Sequence, residues 1–242
     1  MRILYKTKLL VAISICTVVF IVGCVDTSVQ SIPSSIDYSS QIKVVNLVSG
    51  AGTATLTLNG AALGTADFGS EVPGPQSDFL TIPSGNKTLN TSFATAPSND
   101  FQFAVATDYK LRVFLVGTAA ANDLVTNYQR YIWQTPGSAN GAALFPADTG
   151  QIAFFNGSPD AVLASVTITD ASDTTTIDFD SPLEMGDGVA YMKLKSGSYS
   201  FDVLYNDSLH TTFDYNLVAK GRFTAVIYDT AASIKNAVFI DD

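Results

Sequence analysis

Side chains that commonly carry covalent chemistry are scarce in this sequence, which has one histidine and two cysteines. A Ser-His-Asp site would have to use His210, which lies in the polar stretch "NDSLHTT", and no G-x-S-x-G nucleophile motif occurs. One histidine is also too few for a histidine-rich zinc site. We therefore expect His210 to lie in a surface loop, and we expect no catalytic residues.

The cysteine with a clear chemical role is Cys24, which ends an apolar N-terminal run. Arg2, Lys6 and Lys8 come first, followed by a run of 14 mostly apolar residues, 9–22. A membrane-spanning helix needs ~20 apolar residues, whereas this shorter run with a basic flank is typical of a secretory signal peptide. The N-terminus is therefore predicted to direct export.

The residues Ile21, Val22, Gly23 and Cys24 resemble a bacterial lipobox. The resemblance implies that residues 1–23 are removed as a lipoprotein signal peptide and that Cys24 carries diacylglyceryl and further acyl groups, such as palmitate. Two or more acyl chains anchor a protein stably to a membrane. We expect these covalent lipids and no other cofactor. The alternative is an uncleaved signal anchor in which the cysteine is incidental.

Four aspartates, Asp170, Asp173, Asp178 and Asp180, cluster in "TDASDTTTIDFD" and are the candidates for a metal site. Calcium takes six to eight oxygen ligands, which loop carboxylates and carbonyls can supply. However, the cluster lacks the D-x-[DN]-x-[DN]-G pattern, and Asp178 and Asp180 would alternate onto one strand face. A solvated strand face is favoured over a calcium site, and no metal is expected.

Three aromatic residues, Tyr128, Tyr131 and Trp133, lie close together in "NYQRYIWQT". Aromatic rings on a sheet face can stack against sugar rings, so these residues are the candidate ligand contacts. The favoured alternative is that Tyr131 and Trp133 pack into a hydrophobic core.

The charge of the chain excludes nucleic acid from the expected partners. The sequence has 13 Lys+Arg and 22 Asp+Glu, and loss of the three basic residues in the signal peptide leaves 10 against 22, a net charge of −12. Nucleic-acid affinity comes largely from Lys and Arg side chains that displace counterions. The same charge would repel anionic lipid headgroups, so we expect membrane attachment to depend on the acyl chains.

The sequence repeats itself after the signal peptide. "QIKVVNLVSG" from Gln41 matches "QIAFFNGSPD" from Gln151 at an offset of 110, and "YKLRVFLVGTAA" from Tyr109 matches "GRFTAVIYDTAA" from Gly221 at an offset of 112. Further blocks match between these two in the same order. This self-similarity indicates two copies of one structural unit.

Each copy shows the alternation of β-strands. Residues 109–115 alternate apolar side chains with Lys110 and Arg112, which predicts one core face and one solvated face. Asn59-Gly60 predicts a tight hairpin, and the loops "IPSGN" and "LKSGS" predict two more. Residues 119–133 fit helical or strand spacing, and the matching tail of the second copy favours a strand.

These patterns predict an all-β protein with two tandem immunoglobulin-like β-sandwich domains. The predicted parts are the signal peptide at 1–23, a Ser-rich tether from lipidated Cys24 at 24–40, a first sandwich at 41–134, a Gly/Pro/Ala-rich linker at 135–149 and a second sandwich at 150–242. As a flexible chain, the tether would span ~20 Å on average.

The blocks "IKVVNLVSGAGTATLTLNG", "FLTIPSGNKTL" and "IAFFNGSPDAVLASVTI" resemble the domain-of-unknown-function family 4397. Members of that family are secreted or lipid-anchored bacterial proteins, often with tandem domains. Residues 156–161 follow its pattern closely, whereas residues 46–52 lack the Ser-Pro-Asp. The resemblance implies a sandwich fold and an envelope location, and it implies no activity or catalytic residues.

We therefore expect a non-enzymatic, lipid-anchored protein of the bacterial cell envelope that binds a glycan or a protein, as in adhesion. The alternatives are a structural or accessory subunit of an outer-membrane assembly and, less favoured, a hydrolase. Val25 and Asp26 follow the acylated cysteine, which favours the outer membrane. The periplasmic and cell-surface faces both remain open.

Overall fold

The computed structural model describes residues 38–75, 77–131 and 148–242, without the side chains of residues 126–131. The strands are β1 (Ser39–Asn46), β2 (Ala54–Leu58), β3 (Ala61–Ala66), β4 (Ser70–Val72), β5 (Leu80–Pro83), β6 (Gly85–Phe93), β7 (Asn99–Val105), β8 (Tyr109–Gly117), β9 (Asn122–Tyr131), β10 (Thr149–Gly157), β11 (Leu163–Thr169), β12 (Thr174–Leu183), β13 (Met192–Lys195), β14 (Gly197–Tyr205), β15 (Leu209–Leu217), β16 (Arg222–Tyr228) and β17 (Lys235–Ile240). A 3₁₀ turn at Ala231–Ser233 precedes β17. We call β1–β9 the first repeat and β10–β17 the second repeat.

The strands form four sheets, two from each repeat. The first repeat has an inner sheet, β4-β1-β8-β9 with β5 also paired to β1, and an outer sheet, β3-β2-β6-β7. The second repeat has an inner sheet, β13-β10-β16-β17, and an outer sheet, β12-β11-β14-β15. In both inner sheets the first strand pairs in parallel with a later one, β1 with β8 and β10 with β16. The predicted fold class of two β-sandwiches is confirmed.

Each sandwich encloses a hydrophobic core between its inner and outer sheets. In the first repeat, Val44 and Val113 of the inner sheet share a cluster with Leu89 of the outer sheet. In the second repeat, the rings of Phe154 and Phe201 meet across the two sheets with centroids 5.8 Å apart. Every second side chain of a central inner strand therefore packs into the hydrophobic core of the sandwich to which that strand belongs.

The central strands of the inner sheets, β1, β8, β10 and β16, are buried on both faces along most of their length. Arg112 in β8 is 0% exposed, and the side chain of Lys110 is 15% exposed. The prediction that these two residues face solvent is wrong, because the inner sheet of the second repeat covers that face. The long apolar runs of β1 and β8 fit this arrangement, since strands covered on both sides lose the alternation of polar residues.

The turn predictions had mixed outcomes. The Asn59-Gly60 hairpin between β2 and β3 is confirmed, with φ values of 50° and 79° that suit a type I′ turn. Residues 119–133 were expected to form a strand, which is confirmed for Asn122–Tyr131.

The hairpins predicted at "IPSGN" and "LKSGS" are wrong. β5 pairs with β1 in the inner sheet while β6 pairs with β2 in the outer sheet, and β13 and β14 separate in the same way. Both loops therefore carry the chain from one sheet of the sandwich to the other.

Candidate functional site at the junction of the repeats

The two repeats pack together through their inner sheets, each using the face that points away from the core of its own sandwich. The buried apolar residues of this junction are Val45, Leu47, Phe114 and Val116 from the first repeat and Phe155, Val226, Tyr228 and Phe239 from the second. The rings of Phe114 and Phe155 stack with centroids 4.1 Å apart and planes 16° apart. A buried aromatic pair stabilises the fold by ~0.5–1.5 kcal/mol beyond the stabilisation that comes from burying its apolar area. The junction is therefore a third hydrophobic core, shared by the repeats.

Matching positions of the two repeats are filled differently at this junction. Leu47 and Gly157 correspond at the offset of 110, and a Cβ atom on Gly157 would lie 2.6 Å from Cδ1 of Leu47. A Cβ atom on Gly69 would lie 2.3 Å from the hydroxyl of Tyr228 across the same junction. A large residue in one repeat thus occupies the space that a glycine leaves in the other.

A network of buried charges lies next to the apolar contact. Arg112 donates from Nε to Oδ1 of Asp241 at 3.0 Å, from Nη2 to the carbonyl oxygen of Ile240 at 2.8 Å, and from Nη1 to Glu71. Glu71 also accepts from Nζ of Lys43 at 2.8 Å. The pairs of Glu71 with Lys43 and Arg112 lie within the first repeat, whereas the pair of Arg112 with Asp241 joins the two repeats. Because a buried charge is costly unless it is paired, the charge of Arg112 is fully balanced only with both repeats in place.

The last two residues of the sequence supply the carboxylates of the second repeat. Oδ2 of Asp241 accepts a hydrogen bond from the hydroxyl of Thr224 at 2.6 Å. Oδ1 of Asp242 accepts from Nζ of Lys110 at 2.6 Å, and Oδ2 lies 3.5 Å from Arg222. Lys110 and Arg222 occupy matching positions, 112 apart. One carboxylate therefore serves equivalent cations from both repeats.

A cavity of about 450 Å³ opens beside this network. It is lined by Gln41, Lys43, Pro75, Ser77, Asp78, Phe79, Thr81 and Lys110 from the first repeat and by Ile240, Asp241 and Asp242 from the second. Small-molecule sites usually measure ~300–1,000 Å³ and combine an apolar wall with a few placed polar groups. The size and the mixed lining of this cavity fit that description.

Phe79 forms the buried part of the cavity's apolar wall. It is 9% exposed, and Nζ of Lys110 lies 4.7 Å and Nζ of Lys43 5.3 Å from its ring centroid. Cations at this distance are attracted to the face of an aromatic ring. Ile240, which is 47% exposed, extends the apolar wall towards solvent.

A second polar contact joins the repeats through Asp229. The hydroxyl of Ser49 in the first repeat donates to Oδ1 of Asp229 at 2.6 Å, and Nζ of Lys235 lies 3.0 Å from Oδ2. Burial acts to raise the pKa of Asp229, but the hydrogen bonds from Ser49, Lys235 and the backbone of Thr230 together hold that pKa below its usual range. Ionised Asp229 is therefore the form that the junction favours.

Several predicted site residues lie outside the described part of the chain. Cys24 and the lipobox residues 21–23 are among them, and so is Trp133. Tyr128 and Tyr131 lie in β9, but their side chains are outside the description. The lipid attachment and the aromatic ligand contact therefore stay predictions.

The four aspartates proposed for calcium lie around the β11–β12 turn and along β12. Asp170 accepts from the backbone N–H groups of Ser172 at 2.7 Å and Asp173 at 2.8 Å, and these hydrogen bonds hold the pKa of its carboxyl below the usual range. Asp178 and Asp180 are exposed, which confirms the predicted solvated face. Between residues 38 and 242, leaving out 76 and 132–147, no group of three or more His, Cys, Asp or Glu is placed to hold a metal.

His210 is at the surface as expected, but the loop predicted for it is wrong. It is the second residue of β15, and Nδ1 lies 3.1 Å from both carboxylate oxygens of Asp202 on the neighbouring strand β14. β15 is an edge strand of the outer sheet with polar residues on its solvated face. In the sequence, such a strand resembles a polar loop.

The junction residues were missed by the sequence reasoning. Lys43 and Arg112 interrupt the apolar runs "IKVVNLV" and "LRVFLV". A charge inside a run that is otherwise buried is the one available signal, because it needs a partner once it leaves water. The partner could not be read from the sequence, since Asp241 is 129 positions from Arg112.

No protein-family model and no curated protein sequence matches the chain. One solved structure that matches is described as a "putative cell adhesion protein" from Bacteroides ovatus ATCC 8483. It is 11% identical, the match covers 84% of this chain and 96% of that chain, and the TM-score is 0.28. Within the described ranges, no helix is long and apolar enough to cross a membrane.

Proposed function

We propose that this protein is a non-enzymatic, lipid-anchored component of the bacterial outer membrane that binds a glycan or a protein, as in adhesion. Acylated Cys24 is the anchor, and the body made by the two repeats is the binding part. The observation that carries the binding function is the junction cavity, where residues of both repeats meet around one space of about 450 Å³.

The proposed anchor is supported by the order of the N-terminal signals. A basic segment, an apolar run and a lipobox follow one another, and the resemblance to the domain-of-unknown-function family 4397 agrees with an envelope location. The Ser-rich tether predicted at 24–40 would connect the lipidated cysteine to the folded body. As a flexible chain this segment would hold the body ~20 Å from the membrane.

Binding is favoured over catalysis by the chemistry of the cavity. Its two lysines are ion-paired, Lys43 with Glu71 and Lys110 with Asp242. Side chains fixed in this way are suited to recognition through charge-assisted hydrogen bonds. His210 and its partner Asp202 lie on an outer sheet and do not line the cavity.

Metabolic labelling with an alkyne fatty acid tests the anchor. We expect the wild type to take up the label and to sediment with outer membranes, and the Cys24→Ala variant to lose both properties. Cys16→Ala is the matched control, since Cys16 lies in the predicted signal peptide, and it should behave as wild type. A Cys24→Ala protein that is still labelled and still in the outer membrane would contradict the proposed anchor.

One observation favours the alternative of an accessory subunit in an envelope assembly. β12 is an edge strand of ten residues whose side chains are mostly exposed. Open strand edges can pair with strands of other chains. Chemical cross-linking on intact cells tests this alternative, which predicts one stoichiometric partner and is contradicted by a monomer alone.

A further inference from the structure

Resting on the proposed function, we infer that the junction cavity takes a neutral, hydroxyl-rich ligand, namely a sugar residue of an uncharged glycan. Three properties of the lining lead to this ligand class: its charge balance, its hydrogen-bonding groups and its apolar wall.

The charge balance of the lining disfavours anionic ligands. Two cations, Lys43 and Lys110, face three carboxylates, Asp78, Asp241 and Asp242. Both cations already have carboxylate partners, Lys43 at 2.8 Å from Glu71 and Lys110 at 2.6 Å from Asp242. A sulfated, phosphorylated or sialylated ligand would meet a lining with no surplus of positive charge, and like charges in one site repel.

The hydrogen-bonding groups of the lining match those of a sugar. Hydroxyl groups donate and accept at once, and so do the side chains of Gln41, Ser77 and Thr81 that line the cavity. Asp78 adds an exposed carboxylate acceptor. The buried ion pairs hold Lys43 and Lys110 in place before any ligand arrives, which lowers the side-chain entropy lost on binding.

The apolar wall suits the C–H face of a sugar ring. Phe79 and Ile240 line the same cavity as the polar groups, and the cations around Phe79 fix its position. This role also accounts for Ile240, a large apolar residue at a strand end that is 47% exposed. A ligand with both hydroxyl groups and an apolar ring face would use the two parts of the lining together.

A glycan array probed with the detergent-extracted full chain tests the inference. The array holds neutral polysaccharide fragments and their sulfated and sialylated counterparts, and the best neutral fragment is then titrated by calorimetry. We expect binding to neutral fragments, at least ten-fold weaker in the Gln41→Ala/Asp78→Ala variant, which removes about 1.4 kcal/mol or more. Asp214→Ala is the matched control, because Asp214 is exposed on the outer sheet, and its affinity should equal that of the wild type.

Ser77→Trp provides a second, independent variant. Ser77 lies on an exposed bend at the cavity, so the indole would fill the space without removing a buried partner. We expect unchanged thermal unfolding and lost binding of the neutral fragment.

Neutral-glycan binding that survives both variants would overturn the cavity as the site and leave the proposed function standing. Preference for the sulfated or sialylated fragments would overturn the ligand class. Absence of binding to every fragment would overturn the inference together with the glycan form of the proposed function.

Discussion

Replacement of Asp241 by alanine removes the carboxylate on which the junction network depends. Asp241 accepts hydrogen bonds from Arg112 at 3.0 Å, from Thr224 at 2.6 Å and from the hydroxyl of Tyr191 at 2.9 Å. Breaking a buried ion pair by removing one partner costs about 3–5 kcal/mol, because the other charge stays buried without its partner. Arg112 keeps its contact with Glu71, so we expect a loss of about 3 kcal/mol in the free energy of unfolding.

Urea unfolding of the purified protein at neutral pH measures this loss. For a protein of this size, each kcal/mol lowers Tm by roughly 2–4 °C, so thermal unfolding should show a decrease of about 6–12 °C. Asp214→Ala, at an exposed position of β15, is the control and should stay within about 0.5 kcal/mol of the wild type. A loss below about 1 kcal/mol in Asp241→Ala would refute the reasoning, since the carboxylate would then not be balancing a buried charge.

Three further results are expected. Gly157→Val should lower the free energy of unfolding by about 1–3 kcal/mol through crowding against Leu47, and adding Leu47→Ala should restore part of that loss in the same urea assay. Because the pKa of Asp229 is lowered in the folded protein, its contacts stabilise the fold above pH 3.8, the unfolded pKa, and this stabilisation is lost as the pH falls through the folded pKa. The free energy of unfolding should therefore fall less between pH 6 and pH 2.5 in Asp229→Asn than in the wild type. Ser49→Ala removes one hydrogen bond to that carboxylate, so its loss of stability should be larger at pH 6 than at pH 2.5.

The architecture within each repeat was largely predictable from local sequence. The alternation of apolar and polar residues along 199–205 predicted which face of β14 packs into the core, and Tyr199, Phe201 and Val203 on that face are buried. Asn59-Gly60 gave its hairpin because few residues other than asparagine and glycine accept positive φ at both central positions. The repeat offsets agree with the order of the sheets, which is the same in both repeats except that β4 has no counterpart strand in the second.

The junction was not predictable in the same way, because its contacts join positions far apart in the sequence. The alternation of Lys110 and Arg112 with apolar residues fits two structures: a strand face exposed to solvent, or a buried strand face on which the charges are paired. Only the position of Asp241 and Asp242 decides between them. The cavity depends on the same long-range packing, so its residue Phe79 could not be recognised as part of a site.

Cleavage between the repeats tests most directly whether the junction joins them into one body. A protease recognition sequence is placed in the part of the predicted linker that precedes residue 148. The purified full chain is treated with that protease, and complete cutting is verified on a denaturing gel before size-exclusion chromatography without denaturant. If the inner sheets hold the repeats together, the two fragments will co-elute at the volume of the uncut protein, and a Phe114→Ala/Asp241→Ala variant will separate into two peaks. Separation of the cut wild type into two folded fragments would contradict a shared core at the junction.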